Sequence, residues 1–125
     1  MASNATQVGK ELIQLCQTGK GMEAIEKLYD DSIVSIEARA DGALPRKMQG
    51  KGEIIGKNKW WYENMEVHSM EAKGPFPHGE DRFAAVFNID VTNKQDQQRI
   101  QMEEVGLYEV KNGKIVKEEF FYMTE

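Results

Sequence analysis

Hydrophobic and polar residues alternate most regularly between residues 82 and 92. Phe83, Ala85, Phe87, Ile89 and Val91 are separated by single residues without a miss, the pattern of a strand with one face in a core. A second signal lies at residues 101–125, where QMEEVGLYEV and IVKEEFFYMTE flank KNGK. Asn112-Gly113 tolerates positive φ at both central positions, so it favours the type I′ turn of a two-residue hairpin. In the first arm Val105 and Leu107 share a face with Glu103 and Glu109. In the second, Val116, Phe120 and Tyr122 share a face with Glu118. Both arms carry apolar residues on both faces, so the hairpin must be covered by other parts of the chain.

The N-terminal half changes period. Val8, Leu12, Leu15 and Cys16 recur at helical spacing over residues 6–18, with Ile13 at the flank and Thr6 as a plausible N-cap. Gly19-Lys20-Gly21 ends that helix. A second, short one carries Met22, Ile25 and Tyr29 on one side. Asp30-Asp31-Ser32 reads as a turn, and residues 33–38 as a strand with Val34 and Ile36 on one face and Ile33, Ser35 and Glu37 on the other. Residues 40–51, with Asp41-Gly42, Pro45 and Gly50, read as a loop. A third helix follows at 52–65, striped by Ile54, Asn58, Trp61 and Met65. Trp60 points away from that stripe, toward another element or an interface. Residues 67–73 form the next strand, before a turn-rich connection at 74–79. Helices segregated from an antiparallel run give an α+β fold, with three helices on one face of a curved sheet.

The chain's 125 residues suit one domain, set at 6–125 after a flexible N-terminus at 1–5. A net charge of −5 without a basic cluster argues against nucleic acid. The single cysteine, Cys16, allows no intrachain disulfide and makes a thiolate metal site improbable. Nothing approaches a membrane span, and the first residues lack the pattern of a secretory signal, so the expected location is cytoplasmic. Asn4-Ala5-Thr6 matches a glycosylation acceptor but carries no weight without secretion. No cofactor motif and no metal-ligand spacing stand out.

Four stretches, GKGMEAIEKLYDDSIVSIE, GKGEIIGKNKWW, GPFPHGEDRFAAVFNIDVT and EEVGLYEVKNGKIVKEEFFY, in that order, resemble the NTF2-like superfamily in its SnoaL-like, ketosteroid isomerase-related branch. The resemblance spans about Val8 to Tyr122 and contains no catalytic signature. It implies a cone: a strongly bent antiparallel or mixed sheet around the helices, with a pocket open at one end and homodimers through the outer sheet face. That fold serves isomerases, hydrolases, cyclases and proteins with no known reaction, so it does not dictate a function.

Ketosteroid isomerase chemistry needs a carboxylate base on the first strand, a tyrosine on the first helix and a protonated aspartate on the strand opening the last hairpin. Matching Tyr29-Asp30-Asp31 and Asn112-Gly113 to the family places these roles on Ile36, Ile13 and Val105, all apolar, which argues against that triad. A slip of one residue would bring Glu37 to the base position while reversing the faces of its strand. Glu118 and Glu37 are the candidate acid/base residues. Glu118, like Glu103, can be read equally as a solvated carboxylate at the cone mouth. Glu104 and Glu119 fall on the opposite, dimer-facing surface. The expected pocket lining is Ile13, Tyr29, Ile36, Trp61, His68, Phe87, Ile89, Glu103, Val105, Leu107, Phe120 and Tyr122. His68 can be read as a pocket histidine or as a surface one, and His78 as a turn residue. Gly106, in mid-strand, suggests a bulge or a close backbone approach. Two functions follow: a protein that holds or transforms an apolar small molecule, and a non-catalytic dimeric binding or interaction module.

Overall fold

The alternating row from Phe83 to Val91 lies inside the strongest strand of a computed structural model, which describes residues 5–40 and 44–123. The expected N-terminal tail therefore falls outside the described residues, apart from Ala5, which opens the first helix. The elements are α1 (Ala5–Gln17), α2 (Gly21–Leu28), β1 (Tyr29–Ile36), β2 (Lys47–Gln49), α3 (Lys51–Asn64), β3 (Met65–His78), β4 (Arg82–Asn93), β5 (Arg99–Lys111) and β6 (Lys114–Phe121). The six strands make one open mixed sheet in the order β2-β1-β6-β5-β4-β3. β1 runs parallel to β6 and the other pairs are antiparallel. Helices on one face of this bent sheet give the expected α+β cone. No helix among the described residues is long and apolar enough to cross a membrane.

The core lies between the helices and the inner sheet face. Leu12 and Ile13 of α1, Ile25 and Leu28 of α2 and Ile54 of α3 pack toward Phe83, Ala85, Phe87 and Val91 of β4. Each of these side chains is withdrawn from water, and burying one contributes roughly 1.5–3 kcal/mol for the larger residues. Phe83 stacks on Tyr108 with ring centroids 4.8 Å apart, tying β4 to β5.

β1 begins at Tyr29, so Tyr29 leaves the expected second helix and Asp30-Asp31-Ser32 is strand and not turn, because the helix ends at Leu28 and the chain turns extended at Tyr29. Three further departures from the sequence reading place the site. The segment expected as a loop at 40–51 contains β2, an edge strand paired to β1 through Val34↔Gln49 and Ile36↔Lys47. β3 runs through the expected turn at 74–79, with irregularities between Val67/Ser69 and Lys73/Phe76. The third departure is in the final hairpin. Asn112 and Gly113 have φ of 53° and 76°, as the type I′ turn requires. Just beyond it Val110 pairs with Ile115, but Glu109 pairs with Lys117, so Val116 is an extra residue. This β-bulge shifts β6 by one position against β5.

The bulge corrects the faces of β5. An unbulged hairpin would put Glu103, Val105 and Leu107 on the same face as Glu118, Phe120 and Tyr122. In the observed register Tyr108 pairs with Glu118 and Gly106 with Phe120. Met102, Glu104, Gly106 and Tyr108 therefore share the inner face, also because they pair with Ile89, Phe87, Ala85 and Phe83 of β4. Glu103 and Leu107 are exposed and Val105 pairs with Phe121 on the outer face. In β1, Ile33 and Ser35 are buried, so this row, continued by Glu37, points inward and Ile36 does not.

Candidate active site

The inner rows of β1 and of β3 to β6, with the three helices above them, line an open-ended cavity of about 220 Å³. Its apolar wall includes Leu12, Met70, Phe87, Ile89, Trp61 and Phe120. Its polar wall is one connected cluster. Glu118, on β6, has a side chain only 2% exposed, and its two oxygens are both used. The Tyr29 hydroxyl donates to Oε1, and the Ser35 hydroxyl donates to Oε2 at 2.7 Å. Lys57, reaching down from α3, donates from Nζ to the Ser35 hydroxyl and to Oε2 of Glu37, both at 2.8 Å. The same ammonium stands 3.9 Å from Glu118 Oε2 and 5.5 Å from the Phe120 ring centroid. The Tyr122 hydroxyl donates to the other oxygen of Glu37 at 3.0 Å.

These contacts explain why a carboxylate as deep as Glu118 is tolerated. A buried charge is costly unless paired and hydrogen-bonded, and here two hydroxyls and an ammonium surround it. Burial still raises its pKa, against the opposing pull of Lys57, Tyr29 and Ser35. Burial also pushes the Tyr29 and Tyr108 phenols well up, with Glu118 adding to both. The Tyr122 phenol is pushed up to about 12 by burial and by Glu37, and the Cys16 thiol to about 12 by burial and by Glu118. No thiolate nucleophile is available at Cys16.

Glu104 differs from the other two carboxyls. It faces the cavity from β5 but accepts no hydrogen bond and makes no ion pair among the described residues. Burial, with Glu37 and Glu118 as like charges and Lys57 opposing them, raises it to about 7. A carboxyl in that range can both take and give a proton at neutral pH.

The cavity wall brings together Glu37, Glu118, Tyr29, Trp61, Phe87, Ile89, Phe120 and Tyr122 of the residues expected from sequence. Ile13 is buried in the core, while Leu12 and Cys16 represent α1 at the cavity. Ile36, Glu103, Val105 and Leu107 lie off the cavity for the parity reasons given above. His68 leaves it because it is itself a bulge: Val67 pairs with Val91 and Ser69 with Asp90, so His68 has no partner in the ladder. It is exposed, with Nε2 2.6 Å from the Thr92 hydroxyl. Among the residues missed were Ser35, Arg39, Lys57, Trp60, Glu104 and Tyr108. The one sequence signal for Glu104 was the second alternation in β5, Met102-Glu104-Gly106-Tyr108-Val110, which is as regular as the one chosen. Two of the three apolar residues that spoke against a ketosteroid isomerase triad, Ile36 and Val105, thus stand beside inward carboxyls. α1 still presents Leu12 and Cys16 and no tyrosine. Among the described residues no three His, Cys, Asp or Glu side chains converge as metal ligands do.

The model of the SnoaL-like domain family matches residues 3–122. A Mesorhizobium loti protein of known structure, provisionally named a SnoaL-like polyketide cyclase and also labelled a carbohydrate phosphatase, is 41% identical. It superposes with a TM-score of 0.86, over 93% of this chain and 97% of its own. An NTF2-like protein of unknown function from Burkholderia pseudomallei shares 16% identity at a TM-score of 0.75, covering 97% of this chain and 92% of that one. A Bacillus subtilis protein provisionally named an isomerase shares 16% identity at a TM-score of 0.77, covering 96% and 86%. The last two likenesses concern the fold alone. No functionally curated protein matches the chain.

Proposed function

Because this chain belongs to the SnoaL-like domain family, we propose that its cavity holds a small apolar molecule and offers it acid–base chemistry. The observation that carries the reading is the contrast between two carboxyls on one cavity wall. Glu37 is fixed by Lys57 and Tyr122, whereas Glu104 is unpartnered and titrates near neutrality. Two titratable groups in unlike environments are the arrangement that divides proton-transfer roles. Of the three carboxyls on the wall, Glu37 and Glu104 are the less buried and the ones offered to a bound molecule. Glu118, saturated by Tyr29 and Ser35, acts as a positioning residue that holds Lys57 and hence Glu37. A volume of about 220 Å³ is below the usual range for drug-sized ligands, roughly 300–1,000 Å³, so the ligand is small.

Thermal denaturation with a library of small hydrophobic metabolites tests the reading. A true ligand raises the melting temperature according to RT ln(1 + [L]/Kd), and Met102→Trp, which fills the cavity, abolishes the rise. Absence of any stabilising compound would sink it.

A second reading, a dimeric interaction module, is favoured by the outer sheet face. There Leu107 and Phe121 are 48% and 46% exposed, beside Val105. Two copies would cover this apolar row, and Leu107→Glu would yield a monomer by sedimentation at micromolar concentration. A wild-type monomer under the same conditions excludes it.

A further inference from the structure

The cavity's charges do not balance. Three carboxyls, Glu37, Glu104 and Glu118, line it against two cations, Arg39 and Lys57. Lys57 is committed to Glu37 and Ser35 and stands close to Glu118. Glu104 is the carboxyl left over; Phe87 is its partner across the ladder, and Trp60, Trp61, Tyr62 and Phe120 also line the cavity. Electron-rich rings attract cations over their faces, most strongly where water is excluded. The cavity already contains one such contact, Lys57 over Phe120.

We infer that the molecule held in this cavity is an apolar amine in its protonated form, with its ammonium at Glu104 and its hydrocarbon part against the aromatic wall. The inference rests on the small-molecule reading above and names the class of ligand. An anionic ligand would bring a fourth negative group among three carboxyls. A neutral one would bring no positive charge to Glu104, which has no ion-pair partner among the described residues. An ammonium supplies both a charge-assisted hydrogen bond to that carboxylate and the missing positive charge. A cation beside Glu104 favours its ionised form, the form that takes a proton.

Three probes of one skeleton separate the cases: benzyldimethylamine, benzyl methyl ether and phenylacetate, titrated calorimetrically at pH 8. The amine is expected to bind about tenfold or more tightly than the ether, and phenylacetate more weakly than either. In Glu104→Gln the amine falls to the affinity of the ether, while the ether is unaffected, which also reports that the variant has folded. If Glu104→Gln does not fold, the wild-type ranking decides. An ether or phenylacetate that binds wild type as well as the amine overturns the inference and leaves the small-molecule reading standing. So does an amine preference that survives Glu104→Gln. Failure of all three probes overturns it too, and the metabolite library then decides whether the small-molecule reading fails with it.

Discussion

The Tyr29 hydroxyl and the Glu118 carboxylate, 89 residues apart in the chain, are joined by a hydrogen bond in the protein interior. That bond links the parallel pair β1 and β6, among the described residues the only strands whose pairing spans the chain from its first third to its last quarter. Glu118→Leu would leave the Tyr29 hydroxyl without its acceptor and take from Ser35 the carboxylate it donates to. We expect a loss of about 3 kcal/mol in urea denaturation, against about 1 kcal/mol for Glu118→Gln, which keeps the shape and one acceptor. Equal losses for the two variants would show that shape, not hydrogen bonding, is what Glu118 supplies.

Lys57 neutralises two carboxylates from one position. Lys57→Met keeps much of the aliphatic stem and removes the charge. Glu118 then loses the ammonium that opposes its burial, and its pKa rises further. An acid whose folded pKa is raised loses stability as pH climbs, so the variant is expected to lose about 3 kcal/mol at pH 8 and to recover part of it at pH 5. A pH-independent loss would contradict this account.

Glu104 binds its proton more tightly in the folded chain, at about 7, than its ordinary value of 4.5 allows in the unfolded chain. Wild type should therefore lose stability as pH rises from about 4.5 to 7 and level off above that. Glu104→Gln lacks this slope. The variant should thus gain on wild type by about 1–3 kcal/mol between pH 5 and pH 8 in paired urea titrations. Parallel curves would refute the assignment.

Gly106 lies beneath two aromatic rings. A Cβ at this position would come 2.8 Å from Cε2 of Tyr108 and 3.2 Å from Cε1 of Phe120. Gly106→Val should cost about 2 kcal/mol in thermal or urea denaturation, since both rings must move, and it should weaken binding of any cavity ligand because Tyr108 and Phe120 form part of the wall. Full stability would mean that the rings yield freely.

The elements with a single dominant period were legible. β4, the helices and the Asn112-Gly113 turn followed from spacing and from backbone preference alone. What failed was parity. β5 alternates equally well on both faces, with Val105 and Leu107 on one and Met102 and Tyr108 on the other, so periodicity could not choose between them. The choice was made by the hairpin register, and that register turned on Val116, a residue with no glycine, proline or polar signature to mark a bulge. The same applies to His68, an ordinary strand residue by pattern and a bulge by pairing. Lys57 was invisible for another reason: its partners Ser35, Glu37 and Glu118 come from strands that only the folded sheet brings beneath α3.

One consequence of the Val116 bulge concerns how such a cavity can change over time. Deleting that residue would restore an unbroken ladder and rotate either the end of β6 or the length of β5 by half a turn. The side chains presented inward could then change from Glu104 and Tyr108 to Val105 and Leu107 without any of them mutating. A lineage carrying this hairpin can therefore move the inward carboxyl of β5 from Glu104 to Glu103, and replace Tyr108 by Val105 and Leu107, by losing a single codon, a larger step in ligand chemistry than most point substitutions allow.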